Sequence, residues 1–199
     1  SLHDALPIFI ISAVMFPAIA ALFVFADEVI QLLFTKEYVS GSPVLRIYLI
    51  QTLISTEITT LLNVFGQGSA NMRYEAAILP FALLTSLAGV WYYGLPGAAI
   101  GSVLTTFVVY VFFLRRLSQV MSIPIAKLQD WKNLGLILVA SVLAAMLVRL
   151  SVDLLQPPVP VAALVGPAAV LVCYAAMLFV TGYYRTLAEV RREWGVLGA

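Results

Sequence analysis

Charge is the scarcest commodity in this chain. Only 11% of its 199 residues are Asp, Glu, Lys or Arg, against about 25% in an ordinary soluble domain. Apolar residues make up 62%, and the mean hydropathy is +1.03. A water-soluble fold of this size exposes much of its surface, and too few polar side chains are present to cover it. That excludes a soluble enzyme or a nucleic-acid-binding domain. Lys and Arg number eleven against ten acidic residues, a formal charge of +1, so no field for a polyanion exists. Cysteine and histidine occur once each. Cys173 lies in an apolar run, where it packs as a small hydrophobe, and His3 has no partners for a metal site. No phosphate-binding glycine loop, nucleophile elbow or paired-carboxylate motif occurs. The chain is expected to be no enzyme and to need no cofactor. What remains is a polytopic membrane protein.

The opening, Ser1-Leu2-His3-Asp4-Ala5-Leu6-Pro7-Ile8, lacks an initiator Met and a basic start. It is similar, codon by codon, to one reading frame of a common short-read sequencing adapter. Residues 1–8 are therefore expected to be an adapter scar and are set aside from the fold. On that reading the native chain was cut on its N-terminal side.

A helix needs about 20 apolar residues to cross a hydrocarbon core of about 30 Å. Six stretches qualify. The first is Ile8 to Phe25, containing Pro17. A polar return with a short amphipathic piece, Val29 to Phe34, follows. Pro43 to Phe65 is the second, opened by proline at its start, and Gly66 to Asn71 reads as a loop. Ala76 to Trp91 and Ala98 to Leu114 make the third and fourth, joined by a tight turn from Tyr93 to Gly97. Arg115-Arg116 stops the fourth, and residues 115–133 read as an interfacial loop. Leu134 to Leu154 and Val161 to Gly182 are the fifth and sixth, separated by Pro157, Pro158 and Pro160. The tail, Arg185 to Ala199, carries Leu187, Val190 and Trp194 at helical spacing beside three arginines, the pattern of an interfacial helix.

Alternating loops put Arg73, Arg115, Arg116, Lys127, Lys132, Arg185, Arg191 and Arg192 on one side. Lys36, Arg46 and Arg149 fall on the other. The positive-inside rule makes the richer side cytoplasmic, together with the C-terminus.

Five spans are apolar nearly all round. The second is not: it holds Arg46, Gln51, Thr52, Ser55, Thr56, Glu57, Thr59, Thr60 and Asn63. At about 100° per residue, Arg46 and Glu57 lie within about 20° of each other, three turns apart. Thr52, Thr56, Thr60 and Asn63 occupy the adjoining sector, giving a continuous polar stripe. Against lipid such a stripe is costly, so it is expected to face a watery cavity or the bundle interior. Glu57, near mid-span, marks a proton, cation or polar-substrate site. The alternative is interhelical hydrogen bonding, with the hydroxyls as glue. Arg46 either snorkels to the interface or meets a phosphate. Arg149 and Asp153 are spaced for an i,i+4 ion pair. Arg73, beside the cytoplasmic loop, either meets lipid head groups or simply follows the charge rule. The Gly97-x-x-x-Gly101 spacing permits close helix approach.

Several motifs, in order, carry a resemblance. They are Phe16-Pro17 to Phe25, Ala26-Asp27-Glu28-Val29-Ile30-Gln31-Leu32-Leu33-Phe34, Glu37-Tyr38 and Val44-Leu45-Arg46-Ile47. The small Gly-rich segment Asn63 to Ala70 and the turn Gly94-Leu95-Pro96-Gly97-Ala98-Ala99-Ile100-Gly101-Ser102 follow. From about Val14 to Leu114 the chain resembles the C-terminal lobe of bacterial polysaccharide (oligosaccharidyl-lipid) flippases, of the multidrug/oligosaccharidyl-lipid/polysaccharide exporter superfamily. An Asn frequent in the helix corresponding to the third span is not evident.

The resemblance implies an all-α lobe of six transmembrane helices within a two-lobed, alternating-access transporter. Residues 9–114 would form its four-helix core, 134–182 two additional helices, and 183–199 a cytoplasmic amphipathic tail. The implied cargo is an isoprenoid pyrophosphate-linked oligosaccharide, crossing the bacterial inner membrane. The implied partners are that cargo, membrane lipids and the missing N-terminal lobe of the same chain, with a proton or Na+ as coupling ion. The second span's stripe, Arg46, Thr52, Thr56, Glu57, Thr60 and Asn63, would line the substrate path. A drug or cation exporter of the same superfamily would use the same lobes. A non-transporting scaffold subunit would use the stripe only as glue.

Overall fold

The computed structural model describes residues 2–64, 68–121 and 131–181. Every element among them is helical. They are α1 (Leu2–Val24), α2 (Ala26–Leu33), a 3-10 helix (Lys36–Gly41) and α3 (Ser42–Val64). A helical stretch from Gly68 to Met121 is broken by one residue, Gly94, and we treat its arms as α4 (68–93) and α5 (95–121). Then come α6 (Trp131–Leu155) and α7 (Val159–Val180). The chain divides into two compact units, residues 1–33 with 132–199, and residues 34–131.

In the first unit, α1 and α2 pack on α7. The axes of α1 and α2 differ by 77°, and the sharp turn falls at Phe25, not at Pro17. Backbone hydrogen bonds run through the elbow, from Phe25 N–H to the Ala21 carbonyl (3.0 Å) and from Val29 N–H to the Phe25 carbonyl (2.9 Å). Asp27 and Glu28 occupy the first turn of α2, where carboxylates meet the positive end of the helix dipole. Phe25 is fully buried. Its ring fills the space a side chain at Gly166 of α7 would need, since a Cβ there would come within 2.6 Å of it. Buried Ala162, Ala163 and Val170 continue this face of α7. Small residues let helices approach closely, which is how apolar helices associate where the hydrophobic effect offers no drive.

In the second unit, α4 and α5 form a helical hairpin. Gly94 supplies its hinge with φ +65° and ψ −144°, a conformation only glycine adopts readily. The arms then touch backbone to backbone. A Cβ at Gly89 would fall inside the Gly97 carbonyl, and one at Gly97 inside the Gly89 carbonyl. A Cβ at Gly101 would come within 2.6 Å of the Thr85 carbonyl oxygen. The Gly97/Gly101 spacing thus serves helix packing. α3 packs on this hairpin.

Three helical segments among the described residues are long and apolar enough to cross a membrane: Ala76–Arg115, Trp131–Leu155 and Val159–Val180. The pair Ile11–Val24 and Ala26–Leu33 makes a fourth if the bent pair is one span. The 40 residues of Ala76–Arg115 would stretch about 60 Å if straight, twice a hydrocarbon core, and the hinge folds them back. The outward faces are strongly apolar, with Trp91 91% exposed and Leu154 85%. Such surface belongs in lipid.

Several boundaries differ from the sequence reading. Residues 68–71 are the first turn of α4 rather than loop. The turn expected over residues 93–97 contracts to Gly94, because Pro96 is compatible with a helix's first turn. Arg115-Arg116 ends the apolar run but not the helix, which continues to Met121. The helix α1 begins at Leu2 and includes most of the opening octapeptide. The amphipathic tail, Arg185 to Ala199, lies outside the described residues.

The hairpin contact makes a sharp expectation. Gly89→Val should destabilise the protein by about 3 kcal/mol, since the added atoms meet backbone that cannot yield. Gly135→Ala, where a Cβ meets nothing within 4 Å, should change stability by less than about 1 kcal/mol. Thermal unfolding in detergent, followed by circular dichroism, checks both.

Candidate functional site

The polar stripe of the second span sits on α3, whose backbone is helical through Val64. Arg46 is half-buried in its second turn. Thr52 Oγ1 donates to the Tyr48 carbonyl at 2.9 Å, the usual way a threonine satisfies itself in a helix. The side chains of Thr56, Glu57, Thr60, Asn63 and Arg73 lie outside the described residues, so only their places on helical backbone enter the geometry.

One polar side chain of α3 is fully engaged with the hairpin, and the sequence reading gave it no role of its own. Gln51 Nε2 donates to Thr106 Oγ1 on α5 at 2.9 Å, and Gln51 Oε1 accepts from Ser102 Oγ at 3.1 Å. The hydroxyls of Thr106 and Thr105 also donate back to carbonyls one turn earlier, those of Ser102 (3.1 Å) and Gly101 (2.9 Å). Thr85 of α4 then meets Thr105 Oγ1 at 3.1 Å and the Gly101 carbonyl at 3.3 Å. A polar seam therefore ties α3 to α5 and α5 to α4. Bonds of this kind within hydrocarbon contribute about 0.6 to 2 kcal/mol each. The signal was present as Ser102, Thr105 and Thr106 on one helix. Their partner on α3 is fixed only by tertiary register.

The Gln51 contact sets the rotation of α3. At about 100° per residue, positions 55 and 58 fall within about 40° of Gln51, on the α5 side. Position 57 lies about 120° away. Positions 56, 60 and 63 are also turned away from Gln51, by at least about 120°. Ile50, within about 20° of the line of position 57, is 44% exposed. Leu49, on the line of position 56, is buried. The face of α3 that grips α5 is therefore not the face that carries Arg46 and position 57.

A second polar centre lies in the first unit. Arg149 of α6 donates through Nη1 to Glu28 Oε1 at 2.6 Å and pairs through Nε with Asp153 Oδ1 at 3.0 Å. Its guanidinium carbon stands 5.5 Å from the centre of the Phe25 ring, within cation–π range. The i,i+4 pair expected from the sequence is present. The closer partner, Glu28, comes from 121 residues away, and no local pattern announces it. The Glu28 side chain keeps only 16% of its surface, and its Oε2 is buried without a hydrogen-bond partner. A cavity of about 340 Å³ beside this cluster is lined by Glu28, Asp153, Gln156, Pro157 and Val159, among others. The arrangement pins the elbow at Phe25 to α6. Among the described residues, no group of three or more His, Cys, Asp and Glu is placed to hold a metal.

Compared with known proteins, the chain matches no family model, no curated protein and no solved structure.

The Arg149 cluster predicts an asymmetry. Arg149→Met strands the largely buried Glu28 carboxylate and should cost about 3 kcal/mol. Asp153→Asn removes a carboxylate whose side chain is 54% exposed and should cost less than about 1 kcal/mol. Equal losses in a chemical unfolding titration would contradict this ordering.

Proposed function

We propose that this chain forms a six-span lobe of a two-lobed flippase that moves an isoprenoid pyrophosphate-linked oligosaccharide across the bacterial inner membrane by alternating access. The α4–α5 hairpin supplies two of the passes, α3, α6 and α7 one each, and the bent α1–α2 pair the remaining one. By the positive-inside rule the C-terminus would lie on the cytoplasmic side. The second lobe would come from an N-terminal part of the same transporter.

The observation that carries this reading is the rotation of α3. Gln51 commits one face of the helix to packing on α5. Arg46 and Glu57 share a sector turned about 120° or more from Gln51, on which Ile50 is exposed, and a polar sector not used for that packing is suited to a watery path. Within the path, Glu57 holds a coupling proton or Na+, or accepts from a sugar hydroxyl. Arg46, near the outer end, meets a phosphate. The threonines and Asn63 offer neutral hydrogen bonds that exchange readily, which suits a site that must release its cargo. Arg73, at the cytoplasmic end, meets head groups.

The test is translocation of lipid-linked oligosaccharide by the complete transporter carrying Glu57→Gln. Loss of a hydrogen bond or ion contact to a charged group costs about 1.5 to 3 kcal/mol, so transport should fall about ten-fold or more with membrane insertion intact. Transport at the wild-type rate contradicts the role of Glu57. Export of cationic dyes with no oligosaccharide transport would instead favour the drug-exporter alternative. Absence of both would favour the scaffold.

A further inference from the structure

The second unit holds an apolar groove that the proposed path does not use. It lies between α4 and α5 at the end of the hairpin away from Gly94, with a volume of about 400 Å³. Ala77 and Ile78 of α4 form one wall, and Val109, Phe112 and Phe113 of α5 form the other. Arg115 and Gln119 complete the lining. Phe112, Arg115 and Gln119 are spaced three and four residues apart, so they fall on one face of α5. The groove therefore passes from aromatic and aliphatic side chains to a cation and an amide within about two turns. Phe112 is 59% exposed, and Arg115 and Gln119 are exposed as well.

Position in the hairpin strengthens the pattern. The pairing of Gly89 with Gly97 and of Thr85 with Gly101 sets the register of the two arms. Continued along them, it brings position 73 level with position 113. Arg73 and the adjacent Arg115 and Arg116 thus occupy backbone positions at the same end. Ala76–Arg115 is apolar enough for hydrocarbon, so this end comes where acyl chains give way to head groups. A groove between two such helices is open to acyl chains, and a cation at its mouth selects a negative head group.

We propose that this groove is a binding site for an anionic phospholipid. One acyl chain lies along Ile78, Val109 and Phe112, and the phosphodiester is held by the Arg115 guanidinium with Gln119 as a second donor. The lipid comes from the surrounding bilayer, so the site is separate from the transported cargo and from the α3 stripe. Its outcome does not depend on whether the chain transports anything.

Native mass spectrometry of the full chain, released from mixed phosphatidylglycerol and phosphatidylcholine micelles, reads the site directly. Phosphatidylglycerol should be retained over phosphatidylcholine about five-fold, the equivalent of about 1 kcal/mol for one basic residue at the surface. Arg115→Gln should bring the ratio close to one. Ala77→Trp fills the groove from a surface position and should halve the bound phosphatidylglycerol or more, with helicity unchanged by circular dichroism. Excess inorganic phosphate, which has no acyl chain, should leave the bound lipid in place. Equal retention of the two lipids, an Arg115→Gln ratio like the wild type, or displacement by phosphate would each overturn the proposal.

Discussion

Hydrocarbon offers no hydrogen-bond partner, so every polar group carried into it must be satisfied by the protein itself. With charged residues at 11% of the chain, each polar side chain in a span is an expense that some geometry must offset. In the second unit this is done by backbone proximity. Gly89, Gly97 and Gly101 bring the arms of the hairpin close enough for Thr85 and Thr105 to meet each other and the Gly101 carbonyl. The same hairpin presents Ser102 and Thr106 to Gln51. Without the glycines the arms would separate and the seam would lose its partners.

The first unit meets the same constraint with charge. Arg149 brings together two carboxylates from different helices and lies against the face of Phe25. Phe25 in turn needs the absent side chain at Gly166. The elbow between α1 and α2 is thus determined from both sides, by a ring in a small-residue notch and by an ion pair across it. Both units leave long apolar faces outward. Among the described residues, each gathers polar side chains where its helices meet.

Much of the fold could be read from composition and spacing. Runs of about twenty apolar residues located α6 and α7 to within a few positions, and the proline that opens the second stretch located the start of α3. Gly94 and the prolines near residue 157 marked turns through backbone chemistry alone. The Gly97/Gly101 spacing also pointed correctly to packing. Features resting on a partner distant in sequence were not legible. Glu28 looked like a residue of a polar return, and only the packing of α2 near α6 makes it the nearer partner of Arg149. Gln51 was one of nine polar residues in its span, and nothing local separates the one that grips α5 from those that do not. Arg115 ends an apolar run, yet helix propensity carries α5 onward to Met121. A drop in hydropathy signals an interface and not a helix terminus.

On the proposed function α3 has two polar faces with different duties, one fastening it to the hairpin and one lining a watery path. Single cysteines at positions 51, 55, 56, 57 and 60, in a Cys173→Ala background, test it most directly with a membrane-impermeant thiol reagent in intact cells. Rapid labelling is expected at 56, 57 and 60, and protection at 51 and 55. Equal protection at all five positions would mean that both faces are packing surfaces, and the path would not exist along this helix.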